Sequence, residues 1–209
     1  MQLKRPIKLL TDPQVARLLL DPSRRPILTN LEERPMTGAQ LARMIGIAPS
    51  TISFHLNLMR KNGLVRVAKI VAQPRGIPQK YFSSKALWSL DSDRMPVDVK
   101  RFGLFLCRER LIGVFSSLQA FSGKKHRIES FMMDELTRQV LHKTARIFKR
   151  YSGKTTSKNR DTLIVDVFAE GLGEVMARGE TDAAQFLRKT LAGSGLALKP
   201  IGLSQRKRG

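Results

Sequence analysis

Thr37-Gly-Ala-Gln-Leu-Ala-Arg-Met-Ile-Gly46, followed by Ile47-Ala-Pro-Ser-Thr-Ile-Ser-Phe-His-Leu-Asn-Leu-Met-Arg-Lys-Asn-Gly63, decides the fold. Thr37 and Gln40 stand at capping-box spacing, where the hydroxyl and the amide side chain satisfy each other's backbone N–H groups. The helix they open carries Leu41, Met44 and Ile45 on one face and stops at Gly46. After a short turn, Pro49 starts a second helix predicted to reach Asn62, and Gly63 supplies the left-handed residue that ends it. Leu64 is then expected to pack back onto Met59. Helix, tight turn, helix is the helix-turn-helix arrangement.

Downstream, Val65 to Ile70 alternates, Gln73-Pro-Arg-Gly-Ile-Pro-Gln79 reads as a loop, and Lys80-Tyr-Phe82 resumes a strand. Two β-runs around a Pro/Gly loop predict a hairpin, here a wing. Upstream, Thr11-Asp12-Pro13 predicts one helix start, and Asp21-Pro22 a second. In that second helix Pro26 falls too deep to be tolerated without a bend. At about 100° per residue, Ile52, Leu56 and Met59 form the buried stripe of Pro49–Asn62. Ser50, Ser53, Asn57, Arg60 and Lys61 form the opposite arc, with Phe54 at its edge and Thr51 beyond. Hydroxyls and an amide suit base edges or phosphates, cations suit phosphates, and Phe54 suits a thymine methyl group. A plain solvated helix face is the competing reading. Arg66, Lys69, Arg75 and Lys80 add a second contact zone on the hairpin, with Arg75 at a tip suited to the minor groove. Edge charge that blocks strand pairing is the alternative there. His55 borders the buried stripe and reads as a packed or phosphate-contacting side chain.

Asp21-Pro-Ser-Arg-Arg-Pro-Ile-Leu28, Thr37-Gly-Ala-Gln-Leu-Ala42, Pro49-Ser-Thr-Ile-Ser-Phe-His-Leu56 and Lys61-Asn-Gly-Leu-Val65 together resemble the ArsR-type winged-helix repressors, over about residues 10–88. The resemblance implies a homodimeric, sequence-specific repressor whose recognition helix is Pro49–Asn62. Some of these proteins bind metals or arsenicals through a Cys pair on the helix that here spans Gly38–Ile45, which has no cysteine. Others use His and carboxylates on the helix after the wing, yet Asp91 to Ser122 holds no histidine. Metal sensing is therefore not carried over, and no metal or cofactor is expected.

The 209 residues carry 38 Lys plus Arg against 17 Asp plus Glu, a formal charge of +21. Residues 1–96 hold 16 basic and 6 acidic side chains, and 97–209 hold 22 and 11, so the excess belongs to both halves. Such a body attracts polyanions, nucleic acid first and anionic membrane second. The single Cys107 excludes an internal disulfide framework and Cys-based zinc. No apolar run reaches the roughly 18–20 residues of a membrane span, and no signal peptide is evident. A soluble, cytoplasmic, nucleoid-associated protein is expected.

Past Pro96, residues 97–122 are predicted helical, with Leu104, Cys107, Leu111, Val114, Leu118 and Phe121 at 3–4–3–4–3 spacing. That is the spacing of a coiled-coil seam, here a candidate dimerisation stripe, with intramolecular burial as the alternative. Cys107 reads as a core residue rather than a redox sensor. A further helix is predicted to end near Tyr151. Residues 152–160 read as a basic linker, 163–168 as helix in preference to strand, 181–192 as a short amphipathic helix, and the end as a disordered basic tail. Gly153-Lys-Thr155 fails as a P-loop because Phe148 stands where its first Gly belongs. Gly171-Leu-Gly173 fails as a dinucleotide fingerprint because Met176 replaces the third Gly.

The expected fold is mainly α with a small β-hairpin: a winged helix-turn-helix over residues 1–90 and a mainly helical, dimerising region over 97–209. The expected function is a DNA-binding transcriptional regulator, with no catalytic constellation. A nonspecific chromatin protein and an RNA-binding winged-helix module remain alternatives, as does a basic amphipathic membrane-surface segment over 124–149.

Overall fold

The computed structural model describes residues 5–73, 76–91, 94–123, 128–179 and 181–193. Its elements in chain order are β1 (Arg5–Leu10), α1 (Pro13–Leu18), α2 (Arg24–Glu33), β2 (Met36–Thr37), α3 (Gly38–Ile45), α4 (Pro49–Lys61), β3 (Val65–Gln73), β4 (Gly76–Ser84), β5 (Leu87–Leu90), α5 (Val97–Ser122), α6 (Ser130–Tyr151), β6 (Thr155–Thr156), α7 (Arg160–Arg178) and α8 (Asp182–Gly193). They form two compact units: Met1–Val99 with Tyr151–Leu163, and Lys100–Arg150 with Ile164–Gly209.

The first unit is a winged helix-turn-helix with an added sheet. Thr37 accepts from the Gln40 N–H and Gln40 accepts in return from the Thr37 N–H, so the capping box is complete. Gly46 takes φ 76° and Gly63 φ 74°, the left-handed values that release α3 into the turn and α4 into the wing. The Leu64 N–H reaches back to the Met59 carbonyl at 3.0 Å, and Leu64 is fully buried. Ile27, Leu31, Leu41, Ile52, Leu56, Met59 and Leu64 make the centre of this core. The wing sheet runs β2-β4-β3.

Local signals hid three features of this unit. Pro26 causes no mid-helix break, because α2 starts at Arg24 after Ser23. Pro26 thus sits in the first turn, where its missing N–H has no intrahelical partner to lose. Next, β1 joins a second sheet, pairing in parallel with β5 (Ile7↔Leu87 to Leu10↔Leu90) and antiparallel with β6 (Arg5↔Thr156). Finally, the stretch read as a basic linker supplies β6, and its last residue opens α7. There the Arg160 Nη1 lies 3.0 and 2.9 Å from the two Glu32 carboxylate oxygens and 3.1 Å from the Trp88 carbonyl. Glu32 is buried and also accepts from the Trp88 N–H at 3.2 Å. Burial pushes its carboxyl above the usual range, while Arg160 and the Trp88 N–H oppose that rise.

The second unit is helical. Cys107, Leu111, Phe115 and Leu118 of α5 pack with Met133, Leu136 and Val140 of α6, Leu172, Val175 and Met176 of α7, and Ala183, Ala184, Leu187 and Leu191 of α8. Residues 163–168 are helical, as preferred, and α8 covers the predicted amphipathic stretch. The C-terminal tail beyond 193 lies outside the described residues. One glycine sets a helix contact: a Cβ on Gly171 would stand 2.7 Å from the Thr144 Cγ2 and 3.3 Å from its backbone N. Gly171→Ala gains about 1 kcal/mol of helix propensity but overpacks this contact at a cost of about 1–3 kcal/mol. A net loss of about 1 kcal/mol is expected in chemical denaturation. A gain would show that α6 and α7 can separate freely.

Candidate nucleic-acid interface

α4 is built to show one face. Ile52, Leu56 and Met59 are buried, and Ser50, Thr51, Ser53, Phe54, Asn57, Arg60 and Lys61 are all exposed. Pro49 occupies the first helical position, and Ala48 before it offers no capping side chain. The first-turn amides of α4 are therefore left for water or an anion.

His55 belongs to the opposite, buried side. It is 6% exposed, and its Nδ1 accepts from the Arg24 Nε at 3.2 Å. Arg24 also donates to the Leu18 carbonyl at 3.1 Å and pairs with Asp21 at 3.2 Å. Burial opposes ionisation of Asp21, but the Ser23 N–H and Arg24 together hold its carboxyl below the ordinary value. The Asp21-Pro-Ser-Arg motif thus ties the α1–α2 turn to the back of α4. The Phe54 ring meets His55 edge-on, centroids 5.4 Å apart and planes at 63°.

The wing carries the remaining cations. Strict alternation would put Arg66 and Lys69 on opposite sheet faces. A register shift at Ala68 changes this: Arg66 pairs with Ser83 and Lys69 with Tyr81, two β4 residues of the same face. Arg66 and Lys69 therefore share a face, and the Lys69 Nζ sits 4.5 Å from the Tyr81 ring centre. Lys80, paired with Ile70, lies on the other face. All three are exposed, as are Ile70 and Ile77, the latter at 89%. Arg75 lies outside the described residues. Nothing in the alternating pattern signalled the bulge, although Ala68 and Ala72, where β3 shifts register a second time, are the smallest side chains of the strand.

The stripe proposed for dimerisation is largely used inside its own chain. Cys107, Leu111 and Leu118 are buried in the second unit's core, Val114 packs against it, and Leu104 is half-buried. The Phe121 side chain lies outside what is described. Burial pushes the Cys107 thiol up to about 11, and its Sγ lies 3.6 Å from the Thr137 carbonyl. A thiolate is what alkylating agents attack, so Cys107 should resist iodoacetamide in the folded chain and react only on unfolding. Rapid native labelling, read by mass spectrometry, would show that this core opens.

Among the described residues no group of three or more His, Cys, Asp and Glu side chains is placed to hold a metal ion. Nor is any of their helices long and apolar enough to cross a membrane.

A capped helix, a tight turn, a helix with an outward polar face and a wing define the DNA-binding module of a transcription regulator. Residues 21–67 match the model of the family described as "Bacterial regulatory protein, arsR family", so the N-terminal part of the chain carries an ArsR-type helix-turn-helix. No curated protein sequence matches the chain.

Proposed function

We propose that this protein is a sequence-specific, double-stranded-DNA-binding repressor that acts as a homodimer on the nucleoid in the cytoplasm. The observation that carries the reading is the division of α4 into a fully buried apolar stripe and an exposed arc of hydroxyls, an amide and cations, beside a wing face bearing Arg66 and Lys69. Such an arc lets α4 enter a major groove while the wing holds the backbone. A homodimer presents two such helices to two half-sites. Among the described side chains of α5 in a single chain, the large apolar ones left exposed are Val97, Phe105 and Ile112, so a second copy joined along this helix would meet these rather than the buried Leu111 or Cys107.

The test compares single substitutions on a duplex selected by the protein and on a random duplex. Ser53→Ala and Asn57→Ala should lower affinity for the selected duplex and leave random DNA unchanged, whereas Lys69→Ala should weaken both alike. Equal losses on both duplexes for all three variants would favour a nonspecific architectural protein. Preference for structured RNA over duplex DNA would favour the RNA-binding alternative.

A further inference from the structure

The exposed face of α4 has a chemical bias that bears on which bases it reads. Base-edge contacts come from the N-terminal part of a recognition helix. From Ser50 to Asn57 the exposed side chains are Ser50, Thr51, Ser53, Phe54 and Asn57, and the only cations, Arg60 and Lys61, stand in the last turn. Guanine shows two acceptors, N7 and O6, in the major groove and is read by Arg or Lys. No such group lies on the first two turns. Adenine shows an acceptor and a donor, which an Asn amide matches with both of its ends, and thymine alone shows a methyl group.

Phe54 fits that methyl group. It is 61% exposed, a large apolar side chain on an otherwise polar arc. Its ring is also buttressed. It leans edge-on against His55, which is buried and hydrogen-bonded to Arg24, itself fixed by Asp21 and the Leu18 carbonyl. A side chain held from behind meets its target with little ordering cost. Asn57 follows three residues later, so the two lie side by side on the helix surface and reach neighbouring base pairs.

We infer that the operator of this protein is built of A·T pairs where α4 meets it, with Phe54 seated on a thymine methyl group and Asn57 pairing with an adjacent adenine. This rests on the regulator reading above and adds to it the class of sequence recognised. Arg60, Lys61, Arg66 and Lys69 then hold phosphates and leave the base pattern unaffected.

The experiment is selection from a randomised duplex library with the full chain, followed by binding to the enriched duplex with single atoms altered. Half-sites with an A·T core are expected. Replacing the contacted thymine by deoxyuracil removes one methyl and should weaken the wild type about fourfold, the value of one buried carbon. Phe54→Ala should bind the thymine and deoxyuracil duplexes equally, while Phe54→Leu should keep discrimination. Replacing adenine by 7-deazaadenine should weaken the wild type and not Asn57→Ala. An enriched core of G·C pairs, or a wild type indifferent to the thymine methyl, overturns the inference and leaves the regulator standing. No enrichment at all removes the sequence-reading regulator, and the base preference with it.

Discussion

Arg160→Ala should destabilise the first unit by about 3 kcal/mol at neutral pH, the largest single-residue effect expected outside the apolar core. The Glu32 side chain is fully buried, whereas Arg160 keeps 27% of its side chain in water. Removing the arginine therefore strands a carboxylate, while removing the carboxylate leaves a cation that water can reach. Glu32→Gln, which still offers the Trp88 N–H an acceptor, should cost well under half as much. The pH dependence follows from the direction of the shift. Burial already holds the Glu32 carboxyl above the ordinary glutamate range when folded, and losing Arg160 drives it further up. A group raised on folding contributes stability below its unfolded pKa and loses it as pH rises through its folded pKa. The deficit of Arg160→Ala should thus be largest in mildly alkaline solution and shrink on acidification. Trp88, the single tryptophan, lies beside this pair and reports the first unit alone in urea titrations. Equal costs for the two variants, or a deficit independent of pH, would mean that the pair is open to solvent.

DNA affinity should fall on the order of 10⁴-fold between roughly 50 and 200 mM salt, because each neutralised phosphate contributes about −0.9 to the logarithmic slope. For the homodimer proposed above, about four phosphates per protomer give a slope near −7, and the exposed Arg60, Lys61, Arg66 and Lys69 are enough to supply them. Each of these changed to Ala should flatten the slope by about two units per dimer and leave the preferred sequence unaltered. Titrations of a labelled duplex at graded salt measure it directly. A slope near zero would show that the charge of +21 is not directed at DNA by these residues.

What the sequence displayed was whatever depends on near neighbours. The capping box at Thr37 and Gln40, the Gly46 and Gly63 stops and the start at Pro49 are each decided within a few residues, and the helix they bound agrees with the structure to its last residue but one. The exposed arc of α4 followed from the same periodicity. Distant pairing was not legible. β1 contains Pro6 and Lys8 and shows no alternation, and its partners lie about 80 and 150 residues away. Arg160 looked like one more cation in a hydrophilic stretch, because nothing local shows that Glu32 is buried. The bulge at Ala68 hides in an alternating run, yet it decides which wing cations share a face. The spacing on α5 was real, but a stripe of apolar residues looks the same whether its partner is a second copy or the chain's own α6, α7 and α8.

Hydroxyl-radical footprinting of the full chain, free and bound to its selected duplex, shows whether DNA sits on the outward face of α4. Phe54 on α4 and Phe131 on α6 are the same residue type at nearly equal exposure, 61% and 64%, so each calibrates the other. DNA should shield Phe54, together with Ile77 and Tyr81 of the wing, and leave Phe131 as reactive as before. Shielding of Phe131 with Phe54 unchanged would mean that DNA is held elsewhere and that the outward face of α4 is only a solvated surface.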